Sequence, residues 1–482
     1  MRADELVLLQ PVQAAGAIAH GPVTGKQAYF ARPNQWSSAN FSRTVNFADS
    51  RFADAVRFDD SHFQAAADWS GTTFEQGGDF SGSQFDDLGN WQHSAWQAPA
   101  NFSQTHWHDR ALFSKSRFLA ALNLEGATFE KVAALRSARF NAPVQLSEVN
   151  LLSQIDFSEA VFAAGAVIHI DSLAFDSDQA RLLGDKGRIG AVITVAGLEG
   201  NENVLRNAIR NFRRLEQIAD ANRLEYKMQR LRLRQLSNTI AGTPLDWRFL
   251  WRRGPTLLHW AGLSVLLLVS NYGTSVGLVL SSGGVALTGF SLWAWTLDRW
   301  RRPPSQIRPQ PGEMVWMLGS AAVLLLFSLS AIARVSEQPL TVLLCLSLLI
   351  LPIPLAITSY FYQRGSDRDQ RDEPYFLENG GERQLGIAII RLPVVPKYPF
   401  FRDRYTPLPW GKRWNWLNYY GFGLNVFLKI SFNDLRLRDE RLPGSVSAIA
   451  WYQWSLGLIY IVLLLWTLSR TIPGLNLLIY LS

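Results

Sequence analysis

From Trp36 to Ile168 a bulky apolar residue recurs at alternating gaps of five and six residues without a break. The series runs through Phe41, Phe47, Phe52, Phe58, Phe63, Trp69, Phe74, Phe80, Phe85, Trp91, Trp96, Phe102 and Trp107. It continues through Phe113, Phe118, Leu124, Phe129, Leu135, Phe140, Leu146, Leu151, Phe157 and Phe162. The repeat is therefore eleven residues long. Two positions ahead of many members stands a small or apolar residue, among them Ala39, Val45, Ser50, Val56, Ser61, Ala67 and Thr72. Residues two apart share a face of an extended chain, so both point inward. No helix yields this pattern, because a step of five turns a side chain away from the stripe that steps of three and four define. The pattern predicts a β-solenoid in which each rung is one side of a coil, with polar residues such as Arg51, Asp54, Arg57 and Asp59 at the corners. At four rungs to a coil the series makes about six coils, and at ~4.8 Å per coil a rod about 30 Å long.

This spacing resembles the pentapeptide-repeat family in its phenylalanine-centred form, carried here by NFSRTVNFADSRFADAVRF (40–58) and ATFEKVAALRSARF (127–140). The resemblance implies a right-handed quadrilateral β-helix. It implies no activity, since repeat solenoids are scaffolds whose functions lie on their surfaces or in what is attached to them.

Beyond the rungs the period changes. Leu205, Ile209, Phe212 and Leu215, followed by Leu224, Met228 and Leu231, are spaced for a helix pair bent near Gln217 to Asp220, with Asp220 able to cap the second helix. Apolar stretches at 256–272, 275–296, 313–334, 339–362 and 446–468 are each close to the ~20 residues a membrane span needs. The stretch 414–432 carries Asn415, Asn418, Asn425 and Lys429, and Trp414, Trp416, Tyr419 and Tyr420 suit the headgroup level. It reads as a sixth span, a re-entrant helix or an interfacial one. The expected division is an N-terminal segment (1–29), the solenoid (30–180), a capping linker (181–202), a basic helical connector (203–253) and a transmembrane domain of five or six spans (254–482).

Charge separates the parts further. Residues 30–180 hold 18 acidic and 10 basic residues, a net of −8, so the remainder carries +15 of the overall +7. Twelve cations lie between Arg206 and Arg253, which makes anionic lipid headgroups an expected partner of the connector. Nucleic acid is not expected, because no base-stacking aromatics or recognisable module accompany the charge. Basic loops at 298–308 and 363–414 alternate with loops at 271–273 and 336–339 that lack Lys and Arg. The positive side faces the cytoplasm, which predicts an inner-membrane protein of bacterial type with a cytoplasmic solenoid. The N-terminal MRADELVLLQPVQAAGAIAHG does not read as a signal peptide.

Candidate chemistry is sparse. Some membrane proteins with this type of repeat resemble two-helix potassium channels at their C-terminal ends, and 414–470 is loosely similar to that arrangement. It offers Asn425, Lys429, Asn433 and Asp434 as a candidate pore hairpin. A filter of the TVGYG type is missing from LKISFNDLRLRDE (428–440), and Lys429 would repel cations. His106 and His108 flank the inward Trp107 and point outward together, which suits either a metal ion or a polar solenoid face. Asp59 with Asp60, and Asp86 with Asp87, suit an acid–base pair or solvated corners. Gly184, Gly187 and Gly190 have the spacing of a phosphate-binding loop without its Lys-Ser/Thr ending. Cys345 has no partner for an intrachain disulfide. The sequence thus points away from an enzyme, with no cofactor or metal, and toward a membrane-anchored interaction or scaffold protein. Its expected partners are lipids and a protein on the solenoid surface, and a homo-oligomer is left open. The alternative is an ion channel or transport protein with a degenerate pore hairpin and a regulatory cytoplasmic solenoid.

Overall fold

The structure is a computed structural model that describes residues 2–241, 247–301, 311–336, 338–363, 415–428 and 444–471. It divides into two compact units, Met1–Arg253 and Gly254–Ser482.

In the first unit, 33 short strands between Val7 and Thr194 build four parallel sheets of eight, nine, eight and eight strands. Through the coils a strand pairs with the fourth strand after it, as Val56 does with Gly78 and Phe63 with Phe85, until Ile168–His169, which pairs with the third, Ile193–Thr194. One coil is therefore two eleven-residue repeats. The coils begin ahead of residue 30, since Val7–Leu8, Val12–Gln13, Ile18–Ala19 and Val23–Thr24 are already rungs. They also run past residue 180, through Arg181–Gly184 and Ile193–Thr194.

The two gap lengths correspond to two kinds of corner. Every five-residue gap holds one residue with positive φ, as at Asp49 (58°), Asp60 (54°), Gly71 (68°), Gly82 (70°) and His93 (62°). Left-handed backbone is costly for a residue with a Cβ. Here it is held from outside: the amides of Asp49 and Asp60 donate to the carbonyls of Ser70 and Ser81 on the following coil, each at 2.7 Å.

Inside, the rings form four columns. Phe41, Phe63, Phe85 and Trp107 stack with centroids 4.8, 4.7 and 4.1 Å apart, and Trp69 meets Phe80 of a neighbouring column edge-on at 5.2 Å. Offset stacks within columns and T-shaped contacts between them are the two arrangements the ring quadrupole favours. Between the columns runs a ladder of buried hydroxyls. Ser61, Thr72 and Ser83 donate to the carbonyls of Trp36, Phe47 and Phe58 at 2.7, 2.7 and 2.6 Å, so the small polar residues of the repeat are satisfied. Where tryptophans crowd the core, the small position is glycine: a Cβ on Gly89 would lie 2.4 Å from Trp107 Cζ3 and 2.6 Å from Trp91 Cζ3. Gly89→Ala is expected to lower stability by about 1–3 kcal/mol through overpacking, measured by thermal unfolding. A neutral result would mean that the indoles have room to move.

One rung departs from the sequence spacing. Val144 pairs with Ile168, a step of 24, so Ile168 takes the small-residue place and Ile170 takes the ring's place two positions later. The extra residues surround Gly165, whose φ of 89° turns the chain.

Three helices at the end of the coils, the first of them just before the last strand, close the end of the rod. They are α1 (Ile189–Val192), α2 (Glu202–Arg214) and α3 (Ile218–Ala241). The break between α2 and α3 falls at residues 215–217, close to the expected bend. The expectation of a connector separate from the solenoid is corrected, because Leu205, Ala208, Ile209, Phe212, Leu224 and Met228 belong to the same core as the rings. An exposed strand edge invites further pairing, and α2 covers it with amide side chains. Asn211 accepts from Leu182 N at 3.3 Å and donates to Leu182 O at 2.8 Å, standing where another strand would. Asn207 donates to Phe175 O at 2.7 Å, and Gln217 to Gly184 O at 2.9 Å. Lys227 reaches back to the carbonyls of Ala191 and Ile193 at 2.7 and 2.5 Å. Burial, with Arg223 nearby, pushes its amine down to about 8.

The second unit is helical. α4 (Trp247–Ser270) is followed by α5 (Val276–Arg301), α6 (Pro311–Val335), α7 (Pro339–Ile350) and α8 (Pro352–Gln363); α9 (Asn415–Phe427) and α10 (Gly444–Thr471) come later. Among the described residues, four helices are long and apolar enough to cross a membrane, over Val276–Leu297, Met314–Val335, Pro339–Tyr360 and Ala448–Thr471. The expected span at 256–272 falls on α4, whose apolar part Gly254–Ser270 is shorter. The span Pro339–Tyr360 is kinked at Leu351, between α7 and α8. Pro354 has no N–H for the carbonyl of Ile350, and in an apolar bundle that oxygen needs another donor. Trp293 Nε1 supplies it at 2.7 Å, and Tyr452 Oη donates to the adjacent Leu349 O at 2.9 Å.

Candidate functional site

On the third sheet, odd-numbered Phe63, Phe85, Trp107 and Phe129 are buried, so the residues on either side of each point outward. The coil-to-coil register then sets His62, Gln84, His106 and Thr128 in one outer row, and Asp86, His108 and Glu130 in the row beside it. His106 Nε2 donates to Glu130 Oε1 at 2.9 Å, and His108 Nδ1 stands 3.0 Å from the same oxygen. Gln84 Nε2 donates to His108 Nε2 at 3.1 Å and to Asp86 Oδ1 at 2.8 Å, while His62 Nε2 lies 2.7 Å from Asp86 Oδ2. The His106 and His108 rings stack at 4.2 Å. Hydrogen bonds from His106 first and His108 second hold the Glu130 carboxyl below its usual range. His106, His108 and Glu130 offer one ligand atom each, and these atoms all lie within 4.8 Å of one another.

The outward pairing of His106 and His108 is as expected from Trp107. Glu130 was not singled out by sequence reasoning, although counting one coil, or two repeats, onward from His108 finds it. The acidic neighbours diverge rather than pair. Asp59 accepts from Ser37 Oγ at 2.6 Å, and Asp87 caps the amide of Leu88 at 2.7 Å while Asp86 turns to His62. The glycine loop does bind an anion, but an internal one: the amides of Gly187 and Gly190 donate to the buried carboxylate of Asp220 at 2.5 and 2.9 Å. Asp220 therefore holds the α1 segment rather than capping α3.

Of the candidate hairpin, Asn425 lies on α9, half-buried, and its Nδ2 has no hydrogen-bond partner among the described residues. Lys429, Asn433 and Asp434 lie outside the described residues, as do residues 302–308 and 364–414 of the basic loops at 298–308 and 363–414. The described part of α9, 13 residues, covers about 20 Å of a ~30 Å hydrocarbon layer. It packs among the longer helices: Gln453 Nε2 on α10 donates to Gly423 O at 2.7 Å, and a Cβ on Gly457 would sit 1.9 Å from Phe427 O. Glycine there lets the two backbones touch.

No protein-family model matches the chain, and neither a curated protein nor a solved structure is similar enough to count as a match. The fold itself defines the class: a β-solenoid followed by helices, four of them able to span a membrane.

Proposed function

We propose that this is a membrane-anchored scaffold of the pentapeptide-repeat type, whose rod presents its outer faces to a protein partner while the apolar helices fix it to the bilayer. The observation that carries this reading is the union in one chain of a sealed, side-chain-filled rod with a bundle of spanning helices. Such a rod has no interior to bind a substrate, so its rows of outward side chains are what it offers. The alternating loop charge supports a cytoplasmic rod in an inner membrane. The test places a photo-crosslinking residue on each side of the rod in turn, at Arg117, Arg57, Gln64 and Asn90, in cells expressing the full chain. A discrete adduct from one side supports the scaffold. Uniform background from all four sides would overturn it.

A transport role has one observation behind it, the buried Asn425 amide nitrogen on α9, which has no hydrogen-bond partner among the described residues. Ion flux through vesicles containing purified protein, lost in Asn425→Leu, would favour that reading over the scaffold.

A further inference from the structure

We propose that His106, His108 and Glu130 form a site for a divalent first-row transition ion on the outer face of the solenoid, with water completing the coordination. Two imidazoles and a carboxylate are ligands that Zn²⁺ and Co²⁺ accept. The backbone already brings them together. His106 and His108 are held two residues apart by the buried Trp107, and Glu130 is fixed one coil away through the pairing of Trp107 with Phe129.

At Zn–N and Zn–O bonds of about 2.0–2.1 Å, ligand atoms of a tetrahedral site lie roughly 3.4 Å apart. The present separations from Glu130 Oε1 are 2.9 and 3.0 Å, so small side-chain rotations open the site without moving the backbone. Each imidazole has to turn a lone pair to the ion, which moves its proton to the other ring nitrogen. For His108 that nitrogen is Nε2, and Gln84 and Asp86 stand beside it at 3.1 and 3.9 Å. A flipped Gln84 amide, or Asp86, then accepts the proton's hydrogen bond, the outer support that metal-bound histidines use. One row reads Asn40, His62, Gln84, His106, Thr128 and Asn150, and the other Gln64, Asp86, His108, Glu130 and Leu152. His62 meets Asp86 as His106 meets Glu130, but a second imidazole stands at hydrogen-bond distance only from Glu130: His108 is 3.0 Å from Glu130 Oε1 and 3.9 Å from Asp86 Oδ1. The ligand set is half-buried, leaving open positions toward solvent.

Zinc titration by calorimetry and cobalt titration by visible absorption, on tag-free full-length protein in detergent, test the site. The expected result is one ion per chain with a cobalt d–d band. Glu130→Gln and the double variant His106→Asn/His108→Asn should each weaken zinc binding at least tenfold and remove the band. Gln84→Ala should weaken it about 10-fold, and His93→Asn should leave it unchanged. These side chains are outward, and unchanged thermal unfolding of each variant checks that the rod is intact. No stoichiometric uptake by the wild type, or undiminished uptake by the double variant, would overturn the proposal.

Discussion

Replacing Phe80 with aspartate is expected to destabilise the solenoid by more than about 5 kcal/mol, combining loss of a buried ring with burial of a polar group that finds no partner. Phe80 stacks on Phe58 and Phe102 at 5.1 and 4.9 Å and meets the edges or faces of Trp69 and Trp91 at 5.2 and 5.4 Å. A carboxylate there faces aromatic carbon on every side, and neighbouring coils lose their stack with it. Phe80→Leu keeps an apolar side chain and should cost only ~1–2 kcal/mol, while Lys131→Ala on the exposed surface should stay within ~0.5 kcal/mol. Thermal unfolding followed by tryptophan fluorescence, together with limited proteolysis, ranks the three. If Phe80→Asp behaved like Lys131→Ala, the inward register of the whole column would be wrong.

The second large effect is expected at the closed end. Asp220→Ala removes the acceptor of two amides, the half-buried Gly187 N and the buried Gly190 N. At about 1.5–3 kcal/mol for each hydrogen bond to a charged group, the loss is about 3–6 kcal/mol. The fit there is close, since a Cβ on Gly190 would be 2.8 Å from Asp220 Cα. The damage should be local first. Hydrogen exchange should rise across 181–200 before it rises in the central coils, and exchange that stays slow there would show that α1 is held by other means.

The solenoid was legible because its signal is covalent spacing: eleven residues between equivalent positions dictate which side chains face inward, whatever the sequence in between. Trp36, Phe47 and Phe58 could be placed inside from spacing alone. The slip at Ile168 could not, since two residues added near Gly165 alter a corner without altering composition. The role of α2 and α3 was half visible. Leu205, Ile209 and Phe212 announced an apolar face, but a single chain's pattern does not say which surface that face covers. Asn207, Asn211 and Gln217 carried no signal of their own, because edge-capping amides and exposed amides have the same letters. The metal-ligand trio was visible in two of its members. Glu130 lay two repeats beyond His108, and only the pairing of strands turns that distance into contact.

The two kinds of corner also fix what lengthening this rod would do. A coil takes two sequence units of eleven, so one unit advances the chain across two of the four sides. Inserting two units before His106 would displace the His106–His108–Glu130 cluster along the rod by one coil, ~4.8 Å, and leave it on the same side. Inserting one unit would preserve every inward and outward side chain, and with them the core, yet carry the cluster to the opposite side of the rod. Compass bearing and axial position are thus both set by counting residues, which makes the chain a protractor as well as a ruler for whatever its surface displays.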